Sequence, residues 1–513
     1  MGIKPDFYKK TAAVFAAVFP MSFVLHAETG YPNVVLILAD DMGYGDVSSF
    51  NAKSRIKTSN LDRLAMDGIC FTDAHSCSAL STPSRYGLLT GRYAFRTRLR
   101  KGVLNGYSPP LIPESRRTLA DIFNDAGYHT ACIGKWHLGW IWSQGKNGEK
   151  VDFSAPVSNG PSVLGFEYYY CIAASLDMPP YVYVENDRIM AVPDHMMKKE
   201  KGLRLIRRGP AAPDFIPEEC LDRFVGRASD YIMSMKDEKD PFFLYFPLTA
   251  PHTPILPSDE FIGKSGLSPY GDFVMMVDDV VGKIIDALRQ SGKLDNTIVI
   301  FASDNGCAPG SDMAYMESEG HFPSYVFRGA KSDLFEGGHR IPLIVSWGSR
   351  YAGGRVEDCL VSLTDLYATF AEITGYQMKE NEGEDSFSLL PVLEGNNRYS
   401  RKDMVQHSAD GSLALRRGRW KLLFTGSSGG WSYPSLPKDS TAVAALPAFQ
   451  LYNIEKDKSE SLNLVSRYPF RVRRMAAIMR KYIKKGRSTD GIPQKNDLCS
   501  PWPQTSSFMK KRF

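Results

Sequence analysis

The chain has 513 residues, of which 43% are hydrophobic and 23% charged, a composition typical of globular rather than disordered proteins. Lys and Arg (62) exceed Asp and Glu (57) by so little that the formal net charge is only +5. This mild excess is compatible with a polyanionic substrate. It does not indicate nucleic-acid binding, and no helix-turn-helix, zinc-finger or RNA-binding signature occurs. The length allows about three domains, or one large domain and a smaller one.

Residues 1–27 predict a cleaved signal peptide. Three lysines within the first ten residues precede an apolar run over residues 11–25, and Ala27 offers a small residue for cleavage. The run is short for a membrane-spanning helix and Pro20 interrupts it, which disfavours the alternative of an uncleaved anchor. We therefore expect a periplasmic or secreted protein without a membrane span in its mature form.

The eight cysteines are scattered, without a C-x-x-C pair or a close Cys/His spacing. Zinc binding and thioredoxin-like chemistry are therefore disfavoured. Some of these cysteines can pair in an oxidising compartment, but their spacing does not define which ones.

Buried strands alternate with amphipathic helices through most of the chain. Continuous apolar runs predict strands that are covered on both faces, at residues 34–38, 130–134, 242–246, 297–301 and 341–345. Helical spacing occurs between them, at residues 60–65, 118–127 and 273–290, and Thr118 is a predicted N-cap. The alternation predicts an α/β fold with a large mixed, mostly parallel sheet between helices.

Two regions depart from this alternation. Residues 151–217 are irregular and rich in Pro, Gly and aromatics, which is typical of a substrate loop or lid. Beyond residue 400, short alternating segments at 413–424 and 449–454 precede a helix over about residues 469–485, which predicts a small antiparallel sheet plus helix. We therefore predict a catalytic domain over residues 28–400 and an α+β subdomain over residues 401–513.

Polar residues cluster where the predicted strands end. Four of them carry oxygen ligands and follow two strands: Asp40, Asp41, Asp304 and Asn305. Ligands of open α/β sheets bind beyond the carboxyl ends of strands, and hard oxygen ligands favour calcium or magnesium over zinc. Five basic groups follow other strands or loops and can balance a bound dianion: Arg85, Lys135, His137, His252 and Lys331. Each residue alone is explained by a turn or a solvated side chain, but the combination favours a functional site.

Residues 81–92 carry the most specific motif of the chain. Ser-Thr-Pro-Ser-Arg at 81–85 places a hydroxyl before a rigid proline and an arginine four residues after it, at the start of a predicted helix. Such an arrangement can aim a nucleophile and a cation at one anion. With Thr90 and Gly91 it resembles the type I sulfatase signature, Cys/Ser-x-Pro-Ser/Ala-Arg-x-x-x-x-Thr-Gly, in which the first residue is oxidised to Cα-formylglycine. Here that residue is Ser81.

The resemblance to type I sulfatases, which are members of the alkaline-phosphatase-like superfamily, extends over nearly the whole mature length. Further motifs carry it: Leu-Ala-Asp-Asp at 38–41 with Gly-Tyr-Gly-Asp at 43–46, Gly-Lys-Trp-His-Leu-Gly at 134–139, Pro-His-Thr-Pro at 251–254, Ser-Asp-Asn-Gly at 303–306, and Lys331 followed by Glu-Gly-Gly at 336–338. It implies an alkaline-phosphatase-like fold and a sulfuric ester hydrolase.

The resemblance also implies roles for the predicted site residues. Calcium would be held by Asp40, Asp41, Asp304, Asn305 and the modified Ser81, and sulfate by Lys135, His137, His252 and Lys331. Arg85 would steady the formylglycine hydrate, one hydroxyl of which attacks sulfur with Asp304 as proton acceptor. His252 or Lys331 would protonate the departing sugar oxygen. His137 would take the proton of the second hydroxyl and so expel sulfate, a route that a serine sulfate ester lacks.

The first residue of the motif is serine, whereas cysteine is the commoner residue in the family. Members with serine resemble those matured by the anaerobic sulfatase-maturing enzyme of bacteria, which is therefore an expected transient partner. An unmodified Ser81 would favour an alternative, a phosphate monoester or diester hydrolase on the same scaffold. A non-catalytic glycan-binding relative is a third hypothesis, although none of the expected metal or sulfate positions is lost.

The predicted substrate is a sulfated carbohydrate, attacked by an exo-acting enzyme. The segment around Asp177 resembles bacterial sulfatases that act on host glycans such as mucins and glycosaminoglycans, and a carboxylate among aromatics suits sugar hydroxyls. A packed loop is the equally weighted alternative. His321 and Arg328, near Lys331, are further substrate-binding candidates. Sulfated galactose or N-acetylgalactosamine is the favoured sugar.

Overall fold

The computed structural model describes residues 30–145, 151–348, 350–351, 353–396, 399, 401–435, 438–498 and 502–509. The predicted signal peptide lies outside the described residues. Pro32–Phe513 forms one compact unit. None of the helices in the described part of the chain is both long and apolar enough to cross a membrane.

The strands, numbered in chain order, are β1 Asn33–Ala39, β2 Ile69–Phe71, β3 Ala74–His75, β4 His129–Lys135, β5 Tyr168–Ile172, β6 Val184–Glu185, β7 Arg188–Ile189, β8 His195–Met197, β9 Gly209–Ala211, β10 Phe242–Pro247, β11 Thr297–Ser303, β12 Leu343–Trp347, β13 Arg355–Glu357, β14 Val361–Ser362, β15 Asp403–His407, β16 Leu413–Arg417, β17 Trp420–Leu423 and β18 Gln450–Asn453.

The α-helices are α1 Ser59–Met66, α2 Ser81–Thr90, α3 Leu119–Asp125, α4 Cys220–Ser234, α5 Pro269–Gln290, α6 Met313–Ser318, α7 Glu336–His339, α8 Asp365–Thr374, α9 Leu390–Leu393, α10 Ser440–Ala444, α11 Pro469–Lys485 and α12 Ser506–Met509.

A ten-stranded mixed sheet, in the order β13-β2-β12-β11-β1-β10-β4-β5-β6-β7, forms the centre of the protein. Its neighbours β11, β1, β10, β4 and β5 are parallel, and β12 runs antiparallel to β11. Every residue of β1, β10 and β11 is buried. Because successive side chains point to opposite faces, both faces of the sheet are covered. The predicted α/β fold with a mostly parallel sheet is confirmed.

Helix α3 begins and ends as the sequence predicts. Thr118 caps it: its hydroxyl accepts from the N–H of Asp121 at 3.3 Å, and the Asp121 carboxylate accepts from the N–H of Thr118 at 2.7 Å. Gly127 follows the helix with a φ of +81°, in a region that favours glycine. These local signals end the helix shortly before β4 begins.

The region over residues 151–217 is less irregular than its composition predicts. Tyr168–Ile172 forms β5, a full member of the main sheet that pairs with β4. Four of the five residues of this strand are buried, and aromatic residues are common in strands, so this run matches a core strand as well as a loop. The rest of the region does form short strands and turns, including the pair β8 and β9.

A second, antiparallel sheet is formed by β15, β16, β17 and β18 in that order. Helix α11 buries Val472, Met475, Ala476, Met479 and Ile483, at the spacing of one helical face. The predicted small sheet and its helix are confirmed. The division of the chain at residue 400 stays a prediction.

Gly134 provides a test of how tightly the end of β4 is packed. A Cβ atom there would lie 2.0 Å from the carbonyl oxygen of Pro247, and φ is +128°. We expect Gly134→Ala to lower the free energy of unfolding by about 3 kcal/mol or more, because a backbone oxygen in a buried strand cannot yield. Gly127→Ala is the control, since φ is also positive there but nothing lies within 4 Å; its expected cost is about 1 kcal/mol. Equal losses in urea unfolding of the two variants would contradict the steric argument.

Candidate active site

The carboxyl ends of four neighbouring strands form the floor of the site. These strands, β11, β1, β10 and β4, are adjacent and parallel. Ala39 of β1 lies opposite Ser303 of β11, so the residues that follow the two strands come side by side. Open α/β sheets bind their ligands at this edge.

Asp40, Asp41, Asp304 and Asn305 form one buried cluster at this edge. The backbone N–H of Asp41 donates to Asp304 Oδ1 at 3.2 Å, and Asn305 Nδ2 donates to Asp41 Oδ1 at 2.7 Å. Asp41 has a φ of +68°, which aspartate adopts more readily than most residues. The four oxygen-bearing residues predicted from two separate strand ends are thus in direct contact.

Ser81 and Arg85 lie one turn apart at the start of α2. Ser81 Oγ donates to Asp40 Oδ1 at 3.1 Å, and Lys135 Nζ lies 3.4 Å from the same hydroxyl. Arg85 donates to Asp304 Oδ2 from Nε at 3.1 Å and from Nη2 at 2.7 Å. Burial disfavours the charge of Arg85, but Asp304, Tyr245 and Asp40 together outweigh burial and raise the pKa of the guanidinium above its ordinary value. The helix therefore presents a hydroxyl and a permanent cation to the acidic cluster.

Three further basic groups approach the carboxylates. Lys135 Nζ lies 2.5 Å from Asp40 Oδ2, and Lys331 Nζ lies 2.6 Å from Asp41 Oδ2. His252 Nε2 is 3.7 Å from Asp41 Oδ2. Lys135 is the last residue of β4 and His252 follows β10, so both come from the same edge of the sheet.

Burial and charge pairing shift the pKa values of these groups in opposite directions. Burial opposes the charge of Asp40, but Lys135 and His252 hold its pKa below the ordinary value. Burial also lowers the pKa of Lys135, against the attraction of Asp40. Burial also opposes the charge of Lys331, but the nearby carboxylates, Asp41 first and then Asp40 and Asp304, together outweigh burial and raise its pKa. Each buried charge depends on its partner of opposite sign.

His137 is fully buried and differs from the other basic groups. Its Nε2 lies 2.9 Å from the carbonyl oxygen of Leu104, which can only accept, so Nε2 carries the proton. Its Nδ1 is buried and has no hydrogen-bond partner among the described residues. Burial, followed by the charge of Lys135, lowers the pKa of His137 well below its ordinary value. His137 is therefore a neutral imidazole with a free lone pair on Nδ1.

The donor set fits a hard divalent cation. Ligand atoms of Asp40, Asp41 and His252 all lie within 4.8 Å of one another. The side-chain oxygen of Asn305 is buried and has no donor among the described residues. Carboxylate and amide oxygens are the ligands that calcium and magnesium prefer. A cation at this position would satisfy the orphaned amide oxygen.

The predicted substrate-binding residues lie outside this cluster of contacts. Asp177 is buried: its Oδ2 pairs with Arg207 Nε at 3.1 Å, and its Oδ1 has no described partner. Arg328 donates to the carbonyl of Glu460 at 3.0 Å and lies over the ring of Phe335. Their roles in substrate binding stay predictions.

His321 is completely buried, and both of its ring nitrogens are engaged. Its Nε2 lies 2.9 Å from Asp46 Oδ1, and its Nδ1 lies 3.3 Å from the backbone N–H of Arg55. Substrate binding by His321 stays a prediction, and these contacts give the side chain a structural role.

Some residues of the site were not singled out from the sequence. Thr82 accepts from the N–H of Leu104 at 3.2 Å and so holds the carbonyl that binds His137. Tyr270 donates to Asp46 at 2.6 Å and lies 3.1 Å from the carbonyl of Asp41. Thr82 and Asp46 stand inside quoted motifs, which was a usable signal, whereas nothing in the local sequence marks Leu104 or Tyr270.

A buried site of this kind on an α/β sheet, with carboxylates, a helix-borne serine and converging cations, defines a hydrolase of anionic esters. The family model for sulfatases matches residues 32–376. The chain belongs to the sulfatase family, and it is a sulfuric ester hydrolase.

Individual relatives agree with this assignment. An N-acetylgalactosamine-6-O-sulfatase of Bacteroides thetaiotaomicron is 32% identical over 488 residues, which cover 87% of this chain and 92% of that protein. Human arylsulfatase A is 31% identical over 448 residues, covering 85% and 83% of the two chains. A solved sulfatase structure, from work on glycosaminoglycan metabolism by Bacteroides thetaiotaomicron, superposes with a TM-score of 0.77 at 31% identity, over 88% of this chain and 99% of that chain.

The protonation state of His137 can be measured directly. Because its pKa in the fold lies below that of unfolded histidine, the unfolded chain binds a proton that the fold does not, and His137 lowers stability as pH falls below about 6.5. We expect its ¹⁵N shifts to report a neutral ring, protonated on Nε2, from pH 8 down to pH 5, with assignment by His137→Gln. A ring that becomes cationic near pH 6.5 would contradict the buried, neutral state.

Proposed function

We propose that the protein hydrolyses sulfate esters on carbohydrates, using a formylglycine derived from Ser81 and a bound calcium ion. The observation that carries the proposal is the convergence of Arg85, Lys135, Lys331 and His252 on the hydroxyl and carboxylates at one sheet edge. Such a cluster suits an ester whose anionic group must be held while charge develops on the departing oxygen.

The charges of the site favour an anionic substrate. Three buried carboxylates face three buried cations of Arg85, Lys135 and Lys331, so the cluster is balanced by itself. A divalent cation bound by the carboxylates would leave two positive charges uncompensated. A sulfate group supplies negative charge at that point, and buried charges are costly unless they are paired.

Formylglycine accounts for the position of residue 81. When hydrated, this aldehyde supplies one hydroxyl as the nucleophile and a second through which the sulfated enzyme is released. Lys135 lies against the hydroxyl of residue 81, and Arg85 pairs with Asp304. From these positions the two cations can hold the sulfate oxygens and orient the side chain of residue 81. Asp304 is a candidate acceptor for the proton of the attacking hydroxyl.

The remaining basic groups would carry out the other two proton transfers, one when sulfate is expelled and one to the departing sugar oxygen. His137 is neutral with Nδ1 unpaired, so it can accept a proton when sulfate is expelled. Lys331 carries a proton that the carboxylate of Asp41 stabilises, and His252 lies on the same carboxylate. Either can donate a proton to the departing sugar oxygen.

The proposed calcium ligands are Asp40, Asp41, Asp304, Asn305 and residue 81. Calcium accepts a larger and more flexible set of oxygen ligands than magnesium. When bound, it supplies electrostatic stabilisation to the anionic oxygens near residue 81. The buried, unpartnered oxygen of Asn305 is the feature that favours a resident cation.

Sulfated N-acetylgalactosamine or galactose is the proposed substrate. The relative from Bacteroides thetaiotaomicron is an N-acetylgalactosamine-6-O-sulfatase, and the superposed structure comes from work on glycosaminoglycans. We propose that Asp177, through its unpartnered Oδ1, accepts a hydrogen bond from a sugar hydroxyl. Export through the predicted signal peptide of residues 1–27 and maturation by a bacterial anaerobic enzyme complete the proposal.

The modification of Ser81 is testable by mass. We expect the peptide that carries residue 81 to be lighter by about 2 Da, the mass of two hydrogens, when the protein is made with the anaerobic maturation enzyme. Protein made without that enzyme is the control. A serine that persists despite competent maturation would overturn the formylglycine mechanism and make phosphate esters the next substrates to assay.

Calcium binding is testable by calorimetric titration of chelator-treated protein. We expect Asn305→Ala to weaken calcium binding about tenfold or more, because it removes an oxygen ligand from the cluster. Asn381→Ala makes the same chemical change at an exposed position and is expected to bind calcium as the wild type does. Unchanged affinity in Asn305→Ala would exclude that oxygen from the ligand set.

A further inference from the structure

A cavity of about 710 Å³ is lined in part by the segment that follows His137 in the chain. Aromatic side chains of Tyr107, Trp140 and Trp142 form one part of its lining, and Arg207 and Arg208 form another. Ligand sites typically combine apolar and aromatic walls with a few placed polar groups. We call this cavity, defined by these five residues, the arginine cavity.

The two arginines have cationic groups that the described part of the protein leaves unused. Arg208 is exposed and has no hydrogen-bond or ion-pair partner among the described residues. Arg207 uses only its Nε, which pairs with Asp177, and its side chain is 52% exposed. Guanidinium groups bind carboxylate and sulfate oxygens through paired, charge-assisted hydrogen bonds. The cavity therefore offers free donors for an anion.

The backbone that carries these arginines is held rigidly. The N–H of Arg207 donates to the carbonyl of Asp177 at 3.1 Å, and Tyr181 Oη donates to the same carbonyl at 2.9 Å. Arg208 is followed directly by Gly209, the first residue of β9, where a Cβ would lie 2.1 Å from Pro179. Close packing on both sides fixes the position of the Arg207–Arg208 pair relative to the turn that contains Asp177.

The same chain segments connect the arginine cavity to the active site. Trp140 follows His137 by three residues, a distance of at most about 11 Å even in extended chain. Asn105, which also lines the cavity, follows Leu104, whose carbonyl binds His137. The cavity is therefore built in part by the same two chain segments that hold His137 in the candidate active site.

We propose that the arginine cavity binds the sugar next to the one that loses sulfate, and that Arg208, supported by Arg207, pairs with an anionic group on that neighbouring sugar. The aromatic side chains would pack on the apolar face of this sugar. The shared chemistry is an anionic oxygen group, either a carboxylate or a second sulfate. This inference rests on the proposed function and makes an acidic oligosaccharide the preferred substrate class.

Initial rates of sulfate release on four matched substrates test the inference. The wild-type rate on monosulfates of galactose and N-acetylgalactosamine selects the parent sugar. This sugar is then compared with three disaccharides in which its neighbour is neutral, carries a carboxylate or carries a second sulfate. We expect Arg208→Met to lower kcat/KM about tenfold on the disaccharide whose neighbouring sugar carries the preferred anion. On the monosaccharide and the neutral disaccharide we expect a loss of less than about twofold. The acidic disaccharide on which Arg208→Met lowers kcat/KM identifies the anion.

Arg188→Met is the matched control, because Arg188 is an exposed arginine of the same region outside the cavity lining. It should leave all four rates unchanged, and Arg208→Lys should restore part of the loss. A second readout is the calorimetric affinity for a disaccharide that lacks the sulfate to be cleaved but keeps the anion on its neighbouring sugar. Arg208→Met should weaken this binding by a similar factor.

The outcomes separate the two proposals. If Arg208→Met lowers all four rates equally, or lowers none of them, the subsite is overturned while the sulfatase activity stands. If wild-type protein with a verified formylglycine releases sulfate from none of the sugars, the proposed carbohydrate function fails, and the subsite fails with it.

Discussion

Three carboxylates lie buried at one edge of the central sheet, and they can stay charged only because cations lie against them. Asp40 is paired with Lys135, Asp41 with Lys331, and Asp304 with Arg85. Removing one partner from such a buried pair costs several kcal/mol, about 3 to 5 in measured cases. The pairs therefore hold five separate chain segments, from β1, α2, β4, β11 and the loop at 331, in one arrangement.

The sheet makes this arrangement accessible. Parallel strands bring all their carboxyl ends to one edge, so residues far apart in sequence meet without long loops. The left-handed conformation of Asp41 turns its carboxylate toward Lys331 instead of continuing the strand. His137 also has a positive φ, of +56°. The site thus combines a regular scaffold with backbone strain at two of its residues, and strain of this kind clusters at functional sites.

The small C-terminal sheet supports the loop that carries Lys331. Lys421 of β17 pairs with Glu336 at 2.9 Å, and the carboxylate of Glu460 accepts from the N–H of Glu336 at 2.6 Å. The N–H of Ser332 donates to the carbonyl of Ala79, just before α2. These contacts link the second sheet to the loop at 331 and to the start of the helix that carries Ser81, so the second sheet helps to position the segments of the candidate site.

The sequence by itself determined five central strands of the main sheet, the α/β class, the motif at residue 81 and the residues that belong to the acidic and basic sets. These follow from apolar runs, caps and motif spacing, which are local properties. It did not reveal β5, because a buried aromatic strand and an aromatic loop have the same composition. Only the tertiary structure paired each carboxylate with its cation, left Nδ1 of His137 and Oδ1 of Asn305 unpartnered, and placed Arg207 and Arg208 in the lining of one cavity. Those features depend on strand register and on long-range packing, which no local pattern encodes.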